Sequence, residues 1–126
     1  MSNRKVLVVE DNPINMQLMR AILARDGYTV LQAEDARAGL DLARRELPAL
    51  IFMDIQLPDM DGLEATRLLK GDPATRAIPV IAVTAYAMKG DRERILAAGC
   101  DDYLAKPVSY KEVLEKVAAT LGKGRE

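Results

Sequence analysis

Apolar residues gather into five short runs along the chain: KVLVVE (5 to 10), YTVLQA (28 to 33), ALIFMD (49 to 54), IPVIAVTA (78 to 85) and DDYLAKP (101 to 107). Each is of strand length and favours β-branched residues, and between them the apolar period changes to that of a helix. Asn12 predicts an N-cap with Pro13 at the first helical position, and Ile14, Leu18, Met19, Ile22 and Leu23 form the predicted inner face of a helix that stops near Gly27. Ala36, Leu40, Ala43 and Leu47 mark a second helix ending before Pro48, and DGLEATRLLKG a short third. A fourth starts at Gly90-Asp91 and stops at Gly99. The last starts at Ser109, with Glu112 three residues on as a capping box. Five β-α units with near-continuous apolar strands predict an α/β fold, a doubly wound parallel sheet covered on both faces.

The chain has 126 residues, 49% hydrophobic and 29% charged, which fits one soluble domain able to bury a core without disulfides. We find no repeat, low-complexity tract or linker, so residues 1 to 126 are expected to be a single domain. Lysine and arginine total 18 against 19 acids, which argues against direct nucleic-acid binding. Cys100 is the only cysteine and reads as a small buried residue in a reducing compartment. The first residues lack the apolar stretch of a signal peptide, and no run approaches the roughly 20 residues that span a bilayer; a cytoplasmic protein is expected. The absence of histidine excludes Ser-His-Asp and Cys-His catalysis and histidine-ligated metal. Chemistry must rest on carboxylates, hydroxyls and amines.

Ligands of an open doubly wound sheet bind beyond the carboxyl ends of its strands. The first strand ends in Glu10-Asp11, the third in Asp54, the fourth in Thr84 and the fifth in Lys106. Three carboxylates and one ammonium leave an excess of negative charge that calls for a cation, and Mg²⁺ suits an all-oxygen donor set that keeps waters and meets a phosphate. An aspartate is also an adequate nucleophile toward a phosphoryl group. Each residue alone has a plainer reading: Asp54 as a solvated strand end, Thr84 as a β-branched strand residue, Lys106 as a surface lysine. Their joint placement carries the argument.

The stretches VLVVEDN, MDIQLPDMDGLE, VTAYA and AAGCDDYLAKP, in this order and on matching strand ends, resemble the receiver domain of two-component response regulators over essentially the whole chain. The resemblance implies a CheY-like, flavodoxin-like (βα)5 sheet of strand order 2-1-3-4-5. It implies that Asp54 accepts phosphate from a sensor histidine kinase or phosphotransfer protein. One Mg²⁺ would be held by Glu10, Asp11, Asp54 and the main-chain carbonyl of Gln56. Thr84, the main chain of Ala85 and Lys106 would meet the phosphoryl oxygens, Lys106-Pro107 would be a cis peptide, and Thr84 with Tyr103 would form the switch. A downstream protein would bind the surface of the fourth helix, fifth strand and fifth helix, with Tyr86, Met88, Lys89 and Tyr103 at or near it. QLPDMDGLE and AVTAYAMKGD are most similar to single-domain cell-division regulators of the DivK type, which carry no output domain. Receivers attached to hybrid histidine kinases look nearly the same in these stretches.

Rival readings differ by simple features. A Mg²⁺-dependent aspartyl phosphatase usually has a second acid two residues after its nucleophile, where this chain has Gln56. A flavodoxin needs a Ser/Thr/Gly-rich phosphate loop after the first strand and aromatics for flavin; here the loop is EDNPIN and aromatics make up 4%. Tyr103 also reads as a half-buried strand aromatic. Gly62 and Pro58 read as loop formers, and Met16, Met19, Met53 and Met60 as packing. A monomer or weak dimer is expected, without contact to a membrane.

Overall fold

The structure is a computed structural model that describes residues 4 to 85 and 89 to 122. Five strands, β1 (Lys5–Val9), β2 (Thr29–Ala33), β3 (Leu50–Asp54), β4 (Val80–Thr84) and β5 (Asp102–Ala105), alternate with five helices. These are α1 (Pro13–Arg25), α2 (Ala36–Glu46), α3 (Gly62–Lys70), α4 (Lys89–Ala97) and α5 (Tyr110–Leu121). The strands are all parallel, in the order β2-β1-β3-β4-β5. Every residue of the inner strands β3 and β4 is buried, whereas the edge strands β2 and β5 are partly open.

Alternate residues of each inner strand face opposite layers. Leu7, Val9, Ile51, Met53, Val80 and Ala82 pack under α2, α3 and α4. Val6, Val8, Leu50, Phe52, Ile81 and Val83 pack under α1 and α5. Met16 and Met19 join this second layer and Met53 the first, with Met60 packed at its border. Cys100 is buried, its Sγ 3.8 Å from Thr66 Oγ1, and burial pushes the thiol above its ordinary range. Among the described residues no helix is long and apolar enough to cross a membrane.

Local chemistry sets the helix starts. Asn12 Oδ1 accepts from the N–H groups of Ile14 and Asn15 at 2.9 and 3.0 Å, with Pro13 occupying the first helical position. Asp35, Asp61 and Ser109 cap α2, α3 and α5 in the same way, Ser109 Oγ accepting from Glu112 N. Three apolar positions depart from expectation. Ile14 is 75% exposed and Leu18 40%, because the helix turns Met16, Met19, Ile22 and Leu23 inward instead. Leu47 does not extend the buried face of α2: it is the C-cap, left-handed at φ 47° and 57% exposed. A non-glycine residue in that conformation carries strain of about 1 to 2 kcal/mol.

Candidate functional site

The parallel register brings four strand ends to one rim. β1 stops at Val9, and the N–H of Glu10 then donates to Ala33 O at 2.9 Å, which anchors Glu10 just past the strand. Asp54 is the last residue of β3 and Thr84 of β4, and Lys106 follows β5 with its N–H donating to Thr84 O at 2.8 Å. Glu10, Asp54 and Thr84 are each 3% exposed, and Asp11 faces solvent. The Lys106–Pro107 peptide bond is cis.

Lys106 joins two of the acids. Its Nζ lies 3.2 Å from Glu10 Oε1 and 3.2 Å from Asp54 Oδ2. The other oxygens are held by backbone: Asn12 N donates to Glu10 Oε2 and Gln56 N to Asp54 Oδ1, each at 3.1 Å. Carboxylate oxygens of Glu10, Asp11 and Asp54 come within 4.8 Å of one another. A pair of like charges about 4 Å apart repels by about 4 kcal/mol at an effective dielectric of about 20, so one ammonium does not balance the rim.

Burial and charge both act on the ionisable groups of the rim. Burial pushes the Glu10 carboxyl above its ordinary range; the Asn12 N–H opposes this and the Asp54 charge adds to it. For Lys106, burial favours a lower value, but the Asp54 and Glu10 carboxylates outweigh it and hold the ammonium above its ordinary value. The donor set, three carboxylates with Asp11 open to water, fits a hard divalent cation that retains part of its hydration, as Mg²⁺ does.

A family model for the response regulator receiver domain matches residues 6 to 118. This chain belongs to the response regulator receiver family. It is 49% identical over 119 residues to the polar-differentiation response regulator DivK of Brucella anthropi, covering 94% of this chain and 97% of that protein. Among solved structures, the receiver domain of the sensor histidine kinase PA1611 from Pseudomonas aeruginosa PAO1 matches with a TM-score of 0.89 and 39% identity over 96% of this chain and 99% of that one. That structure holds a magnesium ion coordinated in its active-site cleft. The chemotaxis protein CheY4 of Vibrio cholerae, 24% identical, shares the fold with a TM-score of 0.89 over 94% of this chain and 99% of that one. The chain is thus a two-component signalling receiver with a CheY-like fold, and family membership removes the flavodoxin alternative.

The receiver rim gathers Glu10, Asp11, Asp54 and Lys106, with Thr84 on a cavity of about 530 Å³ next to it. Gln56 is tied back to Asp54 by its N–H, and Ala85 follows Thr84 at the surface. Tyr103 lies two residues before the end of β5, opposite Ala82, half-buried, with Arg92 Cζ 5.8 Å and Lys116 Nζ 5.7 Å from its ring centroid. Tyr86 and Met88 lie outside the described residues, as does the side chain of Lys89, which opens α4.

One supporting residue escapes the sequence reading, and another has a different role from the one expected. Asp59 reaches from the β3–α3 loop to α2, its oxygens accepting from Ala36 N at 2.8 Å and Arg37 N at 3.0 Å; PDMDG announces a turn but not the helix its acid will cap. Gly62 opens α3 against the strand end. A Cβ there would meet the carbonyl oxygen of Asp54 and come within 2.8 Å of Ile55 Cα. Glycine is needed at this point for close approach, not for turn formation.

Proposed function

We propose that this receiver takes a phosphoryl group on Asp54 from the phosphohistidine of a sensor kinase or phosphotransfer protein, and that the change is passed to a binding partner. The observation that carries the reading is the Lys106 ammonium shared between Glu10 and Asp54 inside a rim of excess negative charge. Glu10, Asp11, Asp54 and the Gln56 carbonyl would hold Mg²⁺. When bound, the ion neutralises charge on the transferring group.

The chain's own residues do the rest. A carboxylate oxygen of Asp54 forms the new O–P bond as the P–N bond of the donor breaks, and the imidazole nitrogen leaves with the electron pair. Lys106 exchanges its contact with Asp54 for one with a phosphoryl oxygen. The Thr84 hydroxyl and Ala85 N–H take others, each charged hydrogen bond contributing roughly 1.5 to 3 kcal/mol. Drawing Thr84 toward Asp54 vacates space along β4 for the Tyr103 ring. The α4-β5-α5 surface, which includes Tyr103, is then read by the partner.

The exposed apolar side chains Ile14 and Leu18 supply a docking face for the donor. Asn12 caps the turn that carries Ile14 and also donates to Glu10, so this face begins at the rim. Identity of 49% to the polar-differentiation regulator DivK of Brucella anthropi supports a place in cytoplasmic signalling of the DivK kind. Acetyl phosphate with Mg²⁺ should add one phosphoryl group to the protein and none to Asp54→Asn, read by intact mass, and hydroxylamine should remove it. Equal labelling of both proteins would exclude Asp54. Steady turnover of small phosphate esters would favour the phosphatase reading.

A further inference from the structure

The cavity of about 530 Å³ beside the rim is walled by Gln56 and Asp61 from the β3–α3 segment, Thr84 from β4, and Asp91 and Arg94 from α4. Arg94 is the one cation on that lining among the described residues. Its Nη2 stands 3.5 Å from Asp91 Oδ1, with side-chain exposures of 60% and 27%. A pair so long and so exposed contributes no more than about 1 kcal/mol. Arg94 is therefore loosely held, whereas Lys106 already bonds two buried carboxylates.

The helix that carries Arg94 is also lightly anchored. Among the described side chains of α4 only Ile95 is buried, while α3, of the same length, buries five residues. A phosphorylated side chain carries roughly two negative charges near neutral pH. Such a group on Asp54 would make the Thr84 side of the cavity the stronger attractor for a guanidinium.

We propose that Arg94 is a positioning residue that leaves Asp91 for the phosphoryl side of this cavity once Asp54 is modified, and carries the first turns of α4 with it. Asp91 is its competitor in the resting state. The inference rests on the reading of Asp54 as the acceptor. It assigns Arg94 to holding the modified state, and not to binding the metal.

The two members of the pair should act in opposite directions. With the full chain in saturating Mg²⁺, beryllofluoride, which mimics an acyl phosphate, is titrated by calorimetry. Arg94→Gln should bind it about three- to fivefold more weakly, the range a partly exposed charge pair supports. Arg94→Lys should regain most of that loss, and Asp91→Asn should bind more tightly than the parent. In the Arg94→Gln background Asp91→Asn should change nothing, and Mg²⁺ affinity without beryllofluoride should match the parent.

If the pair served only to stabilise α4, both single variants would bind more weakly. If Asp91 repelled the anion directly, its effect would persist without Arg94. Either result overturns the inference while leaving Asp54 as the acceptor. A parent that binds beryllofluoride no better than Asp54→Asn removes that reading, and the inference falls with it.

Discussion

The two ends of the sheet use the same tool, a half-buried lysine facing an aspartate, for different purposes. At the amino end Lys70 Nζ bonds Ile78 O at 2.9 Å and Asp101 Oδ2 at 3.1 Å, and Asp101 Oδ2 also accepts from Val80 N at 2.8 Å. At the carboxyl end Lys106 bonds Glu10 and Asp54, with Asp11 alongside. The lysine side chains are almost equally exposed, 23% and 21%. What differs is the balance: one cation and one anion at the first end, one cation and three carboxylates at the second. The balanced end is a clasp between α3, β4 and β5. The unbalanced end keeps an unmet demand for positive charge and lets a ligand supply it.

Exchanging each lysine for methionine tests this contrast most severely. Lys106→Met should slow labelling by acetyl phosphate about a hundredfold, the usual effect of removing one preorganised group that stabilises transition-state charge. Lys70→Met should label at the parental rate and lose only about 1 kcal/mol of stability, since its ion pair is partly exposed. Equal rates for the two variants would erase the distinction.

Gly62→Ala attacks the carboxyl end through the backbone, because the added methyl runs into the Asp54–Ile55 main chain. A loss of about 2 kcal/mol by urea unfolding, together with slower labelling, is the expected result. An unchanged midpoint would show that the strand end yields freely.

Acid separates the ends by sign. The Glu10 carboxyl is raised in the folded state, so its ionisation opposes folding at neutral pH. In chelator, stability should rise as pH falls from 7 toward the ordinary value near 4.5, and Glu10→Gln should abolish that rise. Asp72, which accepts from Ala74 N and pairs with Arg44, is lowered instead. Its contribution is present above its ordinary value of 3.8 and is lost as pH drops through the folded one. A parent without a rise on mild acidification would mean that the rim is not charge-strained.

The smallest expected effect lies at the amino end. Leu47→Gly should relieve the left-handed strain at the C-cap of α2 and raise stability by at most about 1 kcal/mol, with labelling unchanged. Thermal unfolding that moves downward would indicate that the Leu47 side chain packs better than its exposure suggests.

Strand count, strand direction and the residues of the rim were legible because a parallel sheet buries short apolar runs whole and delivers their carboxyl ends to one place. What was not legible depended on angles that the apolar pattern leaves open. In α1, Ile14, Met16, Leu18 and Met19 spread apolar character over too wide an arc for periodicity to choose a face, and the sheet chose Met16 over Ile14. Leu47 fits the apolar spacing of α2, but the helix has ended there. Asp59 and Gly62 act on residues outside their own segments, Ala36 and Asp54, and no local pattern encodes such partners.

Of the strands that build the rim, β5 alone is an edge. β1, β3 and β4 each have neighbours on both sides, while β5 is hydrogen-bonded only to β4. Shifting an inner strand means breaking two ladders, and shifting β5 means straining one. Tyr103 lies within this strand and Lys106 just past its end, so the residues proposed to meet the partner and the phosphoryl group share the part of the sheet that moves at least cost. The acids opposite them are set on strands locked from both sides. Such a rim is hinged like a door, with the frame on β1 and β3 and the leaf on β5, and motion started by chemistry at the frame has its easiest outlet sideways toward α4 and α5.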